Sequence, residues 1–97
     1  MTLPALTEKQ FLAQVRGAAH LYRWVTYHPY LSIHSERGWP DLTLIRPPRL
    51  LFAELKTAKG KTTPHQDRWL ELLREIPGCE TYLWRPADWD AIVEVLE

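Results

Sequence analysis

The stretch from Gly38 to Lys56 most constrains what this chain can become. It reads Gly38-Trp39-Pro40-Asp41-Leu42-Thr43-Leu44-Ile45, then Arg46-Pro47-Pro48-Arg49, then Leu50-Leu51-Phe52-Ala53-Glu54-Leu55-Lys56. Two apolar runs flank a Pro-Pro turn, which is the pattern of paired antiparallel strands. Closing the hairpin symmetrically about Pro47-Pro48 sets Ile45 opposite Leu50, Thr43 opposite Phe52 and Asp41 opposite Glu54. Cβ atoms of opposed residues stand roughly 4.5–5.5 Å apart, where like charges oppose pairing. Lys56 lies two residues beyond Glu54 and projects from the same face. Two carboxylates and an amine thus converge where a sheet favours apolar pairs, and such a local conflict marks a functional site. Carboxylates at that separation can share a divalent cation, which relieves their repulsion. A one-residue slip would send Asp41 and Glu54 to opposite faces. Pro-Pro is not a favoured two-residue hairpin turn, so a four-residue loop from Arg46 to Arg49 is expected; it keeps the same pairing.

The chain has 97 residues, the length of one domain, 1–97, with residues 1–6 as a loose leader. That length suffices for a core without staples. Cys79 is the one cysteine, so no internal disulfide forms and a reducing, cytoplasmic setting fits. No stretch is long and apolar enough for a membrane span or a signal peptide. The formal net charge is zero, which argues against a strongly basic protein that coats nucleic acid but not against an acidic pocket with basic rims. Five tryptophans exceed what a small core needs and could supply an interface.

Thr7-Glu8-Lys9-Gln10 fits a capping box, and Phe11, Leu12, Val15, Ala18, Ala19 and Tyr22 follow at helical spacing. The spacing predicts a helix from about Glu8 to about Tyr22, with Glu8 in line with the buried stripe. A carboxylate in a first turn is also favoured by the helix dipole alone. Residues 24–28 form a strand ended by Pro29. The loop 29–40 has no periodicity, and its length in so small a domain suggests function. His28 and His34 are candidates there for catalysis or phosphate contact, with a plain surface histidine as the simpler reading of each. After the hairpin comes a basic turn, 57–62, in which Lys59 and Lys61 could hold phosphates. Thr63-Pro64-His65-Gln66 is a second capping box, with Pro64 at the favoured first helical position. Trp69, Leu70, Leu73 and Ile76 continue that helix, and Pro77-Gly78 stops it. Gln66 lies in line with the stripe, so its cap role and a role toward the core compete for one side chain. Residues 79–84 form a fourth strand, and a last helix starts at Pro86 or Asp88, with Trp89, Ile92, Val93 and Leu96 facing the core. The order α-β-β-β-α-β-α is an α/β fold, a mixed sheet flanked by helices.

Pro40-Asp41 followed by Glu54-Leu55-Lys56 is the Pro-Asp…Glu-x-Lys signature of the restriction-endonuclease-like superfamily. Gly38 precedes it, both halves fall on predicted strands, Glu8 opens the preceding helix and Gln66 the following one. The arrangement resembles the virus-type replication-repair nuclease (VRR-NUC) family, especially its short stand-alone members from phages and bacteria, over about residues 7–96. The resemblance implies a restriction-endonuclease-like core and metal-dependent hydrolysis of DNA phosphodiesters. It further implies a structure-specific endonuclease acting as a homodimer on branched DNA such as Holliday junctions. Asp41 and Glu54 would ligate Mg²⁺ or Mn²⁺, with the Leu55 carbonyl as third ligand and Glu8 completing the shell directly or through water. Lys56 would orient the attacking water or stabilise charge at phosphorus, and Gln66 would position that water or Lys56. Arg37, Lys59 and Lys61 are the candidate DNA contacts. The alternatives are a non-enzymatic DNA- or protein-binding module on the same fold and a sequence-specific restriction-type endonuclease.

Overall fold

A computed structural model describes residues 5–29 and 36–97. Residues 1–4 of the leader and residues 30–35 of the 29–40 loop, His34 among them, lie outside the described residues. The elements in chain order are α1 (Glu8–Leu21), β1 (Val25–Tyr27), β2 (Leu42–Arg46), β3 (Arg49–Leu55), α2 (Pro64–Arg74), β4 (Cys79–Trp84) and α3 (Trp89–Leu96). A single 3₁₀ turn, Pro86–Asp88, leads into α3. The strands form one sheet in the order β1-β2-β3-β4, antiparallel except for the parallel pair β3–β4. A parallel pair needs a crossover, and α2 supplies it.

Both capping boxes form. Thr7 Oγ1 accepts from the Gln10 amide and Gln10 Oε1 from the Thr7 amide; Thr63 and Gln66 repeat the exchange. Each satisfies helix N–H groups that have no partner within the helix. Helix α1 ends in a Schellman motif, in which the Trp24 amide donates to the Ala19 carbonyl and the Arg23 amide to the His20 carbonyl. Arg23 takes the left-handed conformation there, with φ of 69°. The motif turns the chain sharply, so Trp24 enters the core directly below Ala19 and β1 begins one residue later than the composition suggests.

The hairpin register is the symmetric one: Ile45 faces Leu50 and Thr43 faces Phe52. The expected four-residue loop is corrected to two residues, because Arg46 pairs with Arg49 and Pro47-Pro48 alone make the turn. The Pro47–Pro48 peptide bond is cis, which lets a proline occupy the third position of a tight turn.

One face of the sheet carries the main core. Leu42 and Leu44 of β2, Leu51, Ala53 and Leu55 of β3 and Trp84 of β4 pack with Phe11, Val15 and Ala19 of α1 and Ile92 and Leu96 of α3. The opposite face is covered around Phe52, against whose ring Trp39 stands edge-on at 5.6 Å, with Trp69 of α2 edge-on to Trp39 at 4.9 Å. Strand β3 is therefore buried on both faces from Leu51 to Leu55, which makes Glu54 a charged residue in a central strand. Among the described residues no helix is long and apolar enough to cross a membrane.

At the hairpin turn, two arginines close the fold. Arg46 and Arg49 lie over the Trp24 ring, 4.6 and 4.9 Å from its centroid. Arg46 donates to the carbonyls of Tyr22, Leu96 and Glu97, the unpaired carbonyl ends of α1 and α3. Arg49 makes a forked pair with Glu80, both bonds 2.9 Å, and also donates to the Val95 carbonyl. The fork holds the Glu80 carboxyl below its ordinary range, and burial pushes the adjacent Tyr82 phenol up to about 12. Removing Arg46 strands three carbonyls that it serves. Arg46→Ala is expected to cost about 1–3 kcal/mol, seen as a fall of at least ~4 °C in the thermal midpoint.

Candidate active site

The acidic end of the hairpin lies opposite the arginine clasp. Asp41 stands just before β2, and its Oδ2 accepts from the Leu55 amide at 2.8 Å. That bond continues the hairpin by one residue through a side chain and sets the Asp41 carboxylate beside Glu54. Glu54 is 1% exposed. Its Oε1 accepts from Gln66 Nε2 at 2.9 Å and stands 3.9 Å from Lys56 Nζ. Its Oε2 is buried and, among the described residues, has no hydrogen-bond partner. Burial pushes the Glu54 carboxyl up to about 9, helped by the neighbouring Asp41 carboxyl and opposed by Lys56. The pair therefore holds a proton at neutral pH, as two crowded carboxylates do.

The Gln66 roles that seem to compete are both filled. Its Oε1 accepts from the Thr63 amide to close the capping box, while its Nε2 donates to Glu54. The amide has one acceptor end and one donor end, so a single side chain fixes the start of α2 and the acid beneath it. Gln66 thus ties the first turn of α2 to the Glu54 carboxylate.

Gly38 makes this approach feasible. Its φ is +82°, and a Cβ there would stand 2.4 Å from the backbone carbon of His65 and 2.6 Å from the Gln66 nitrogen. Only glycine lets the Gly38–Asp41 segment lie directly on the first turn of α2. Trp69 Nε1 adds a bond to the Arg37 carbonyl at 2.7 Å.

Beside the carboxylates opens a cleft of about 410 Å³, lined by Glu8, Lys9, Leu12, His28, Asp41 and Leu55. Glu8 is placed at this cleft but is exposed, not part of the buried stripe; Phe11, Val15 and Ala19 carry that stripe, starting one turn later. Among the described residues no three of His, Cys, Asp and Glu gather as a metal-binding group. His28 lines the cleft too, with Nδ1 2.6 Å from the Asp41 carbonyl oxygen. An acceptor there makes Nδ1 the donor of this bond. Sequence spacing gave His28 no preference over a surface role, because its partner is a backbone atom across the sheet. Arg37, Lys59 and Lys61 are exposed, and none lines the cleft.

No protein-family model matches the chain, and no curated protein matches it. Solved structures do. A structure described as a VRR_NUC domain superposes with a TM-score of 0.73 over 90% of this chain and 94% of its own, at 24% identity. A second, described as a VRR_NUC domain protein, gives 0.70 over 96% and 87%, at 20% identity. The chain has the VRR_NUC fold. The mixed sheet flanked by helices is thus the restriction-endonuclease-like arrangement that the Pro-Asp…Glu-x-Lys residues suggest.

The buried acid gives a pH signature in the VRR_NUC fold without metal. The Glu54 carboxyl is about 9 when folded, above the ordinary carboxyl range of the unfolded chain. Its stabilising contribution is complete below the unfolded value and is lost as pH rises toward 9. Glu54→Gln keeps the acceptor for Gln66 and cannot ionise. In a chelating buffer at pH 8 the variant is expected to melt at least ~4 °C above the wild type, and the gap should close as pH approaches 4.5. Melting curves across that range check both points.

Proposed function

We propose that the protein is a metal-dependent DNA endonuclease of the VRR-NUC family. The observation that carries this reading is the buried Glu54 carboxylate beside Asp41, with one oxygen left without a partner. A fold does not need two carboxylates in that position, and burying one of them, Glu54, with an oxygen left unpaired is costly. The likeness to VRR_NUC domain structures supports the same reading.

The residues fit Mg²⁺ or Mn²⁺. Carboxylate oxygens are the hard donors these ions take, and a cation would replace the proton that the pair now holds. Asp41 and Glu54 would hold the ion, with the Leu55 carbonyl as third oxygen and Glu8 reaching it through water from the cleft. When bound, the ion would neutralise the scissile phosphate and acidify water.

The remaining chemistry falls to side chains. Gln66 holds Glu54 in one orientation, so the donor oxygen does not need to reorganise during turnover. The Lys56 ammonium is 3.9 Å from Glu54 Oε1, beyond hydrogen-bond range, and 13% exposed. In this reading it orients the attacking water or offsets charge building on the phosphate oxygens. Arg37, Lys59 and Lys61 contact flanking phosphates, which positions DNA without reading sequence.

The substrate in this reading is branched DNA such as a Holliday junction, cut by a homodimer. One small domain offers little surface to grip a branch, whereas a two-fold pair of sites suits two symmetric cuts. Val25, Tyr27 and Ile45 share one face of the β1–β2 edge and are 67%, 62% and 41% exposed, an apolar patch that a second copy could cover.

The test is cleavage of a labelled four-way junction against matched linear duplex, in Mg²⁺, in Mn²⁺ and in EDTA. The expected result is metal-dependent cutting of the junction, with Asp41→Ala and Lys56→Ala folded and inactive. Full activity in either variant would sink the assignment. Recurrent cuts at discrete sequences in linear duplex would instead indicate a restriction-type enzyme. No cutting of any DNA in any metal would indicate a binding module.

A further inference from the structure

Arg85 follows the last residue of β4 and belongs to no sequence motif discussed above. Its Nη1 donates to two carbonyls of the turn after Lys56: Thr57 at 2.7 Å and Gly60 at 2.6 Å. The same turn is closed by the Gly60 amide on the Thr57 carbonyl at 3.3 Å. Gly60 packs against the lysine stem; a Cβ there would stand 3.5 Å from Lys56 Cδ and 3.1 Å from Thr57 Oγ1. The neighbouring residue of β4 holds the lysine backbone, since the Lys56 amide donates to the Trp84 carbonyl at 3.0 Å. Arg85 is itself anchored, its amide donating to Asp88 Oδ2 at 2.9 Å in the 3₁₀ turn.

We propose that Arg85 is a positioning residue for Lys56: by clamping the Thr57–Gly60 turn over the lysine stem, it sets where the Lys56 ammonium stands against Glu54. The functional consequence rests on the nuclease reading of Asp41, Glu54 and Lys56. A long, flexible lysine stem has many rotamers, and a turn fixed on it reduces them. A guanidinium suits the task because it stays charged and donates in a rigid fork. Glycine at position 60 suits it too, since a Cβ there would crowd Thr57 Oγ1 at 3.1 Å. The clamp also holds the backbone between Lys56 and the exposed Lys59 and Lys61, so the basic turn is presented as one piece.

The test uses the full chain carrying Arg85→Ala, with Arg85→Met to preserve the aliphatic stem and Arg85→Lys to preserve a donor. The bonds from the Arg85 amide to Asp88 and from the Lys56 amide to Trp84 are backbone contacts at residue 85 and before it, so they survive all three changes. Two readouts are taken on folded protein. The first is amine labelling of Lys56 by acetylation, followed by mass spectrometry, with Lys59 as internal reference. Arg85→Ala and Arg85→Met are expected to label at Lys56 at least tenfold faster than wild type, and Arg85→Lys in between. The second is cleavage of the junction at saturating DNA. The rate is expected to fall about 10- to 100-fold, with KM and Mn²⁺ affinity within about threefold of wild type, and Arg85→Lys to recover part of the rate. Unchanged Lys56 labelling in folded Arg85→Ala and Arg85→Met overturns the proposal. So does a rate that falls only with the unfolded fraction, or a raised KM at unchanged rate, which would make Arg85 a DNA contact. If wild type cuts no DNA while the labelling contrast appears, the clamp stands and the nuclease reading fails.

Discussion

The hydrogen bond from the Leu55 amide to Asp41 Oδ2, 2.8 Å long, is the constraint on which the acidic end of this molecule depends. It replaces the next rung of the hairpin by a side chain. In doing so it brings a carboxylate beside Glu54, in a strand buried on both faces. Two carboxylates there oppose each other, and burial penalises the Glu54 charge. The surrounding residues answer that conflict one by one. Gln66 donates to one oxygen of Glu54, Lys56 supplies a positive charge near it, and a proton occupies the pair at neutral pH. One oxygen of Glu54 remains unanswered among the described residues. In the proposed reading, a divalent cation is the group whose charge and donor preference would complete the set.

Stability and chemistry sit at opposite ends of one hairpin. At the turn, Arg46 and Arg49 lie on Trp24 and satisfy the carbonyl ends of two helices, a set of contacts in which every charged group has a partner. At the open end, the acids are crowded and incompletely paired. The rigid end holds the register, and the register holds the crowded end in place. A slip of one residue would put Glu54 on the other face of the sheet and dissolve the site, while also taking Leu51 and Ala53 out of the main core.

Much of this was legible in the sequence, because the signals were local. The two capping boxes, the Pro77-Gly78 stop, the fourth strand and the hairpin pairing follow from residues within a few positions of each other. The placement of Asp41 beside Glu54 was legible because symmetric closure about Pro47-Pro48 sets the hairpin register. What escaped was contact across the fold. Nothing near Arg85 in the chain announces the carbonyls of Thr57 and Gly60, and nothing near His28 announces the Asp41 carbonyl. Gly38 was visible as a glycine, but its need to touch the backbone of His65 and Gln66 depends on how α2 docks. Glu8 shows the opposite error: helical spacing placed it on the buried stripe, yet a first-turn residue can lie beyond the edge of the core, and there it faces the cleft. The turn was misjudged for a local reason, since Pro-Pro with a cis bond closes in two residues what trans prolines would not.

The central claim is that Asp41 and Glu54 form a cation site now occupied by a proton. Calorimetric titration of the wild-type protein with Mn²⁺ at pH 7.5, repeated in buffers of different ionisation enthalpy, tests it most directly. The account predicts saturable binding with release of close to ~1 proton per ion, abolished in Asp41→Ala and without proton release in Glu54→Gln. Absence of Mn²⁺ binding by folded wild type, or binding that releases no proton, would contradict it.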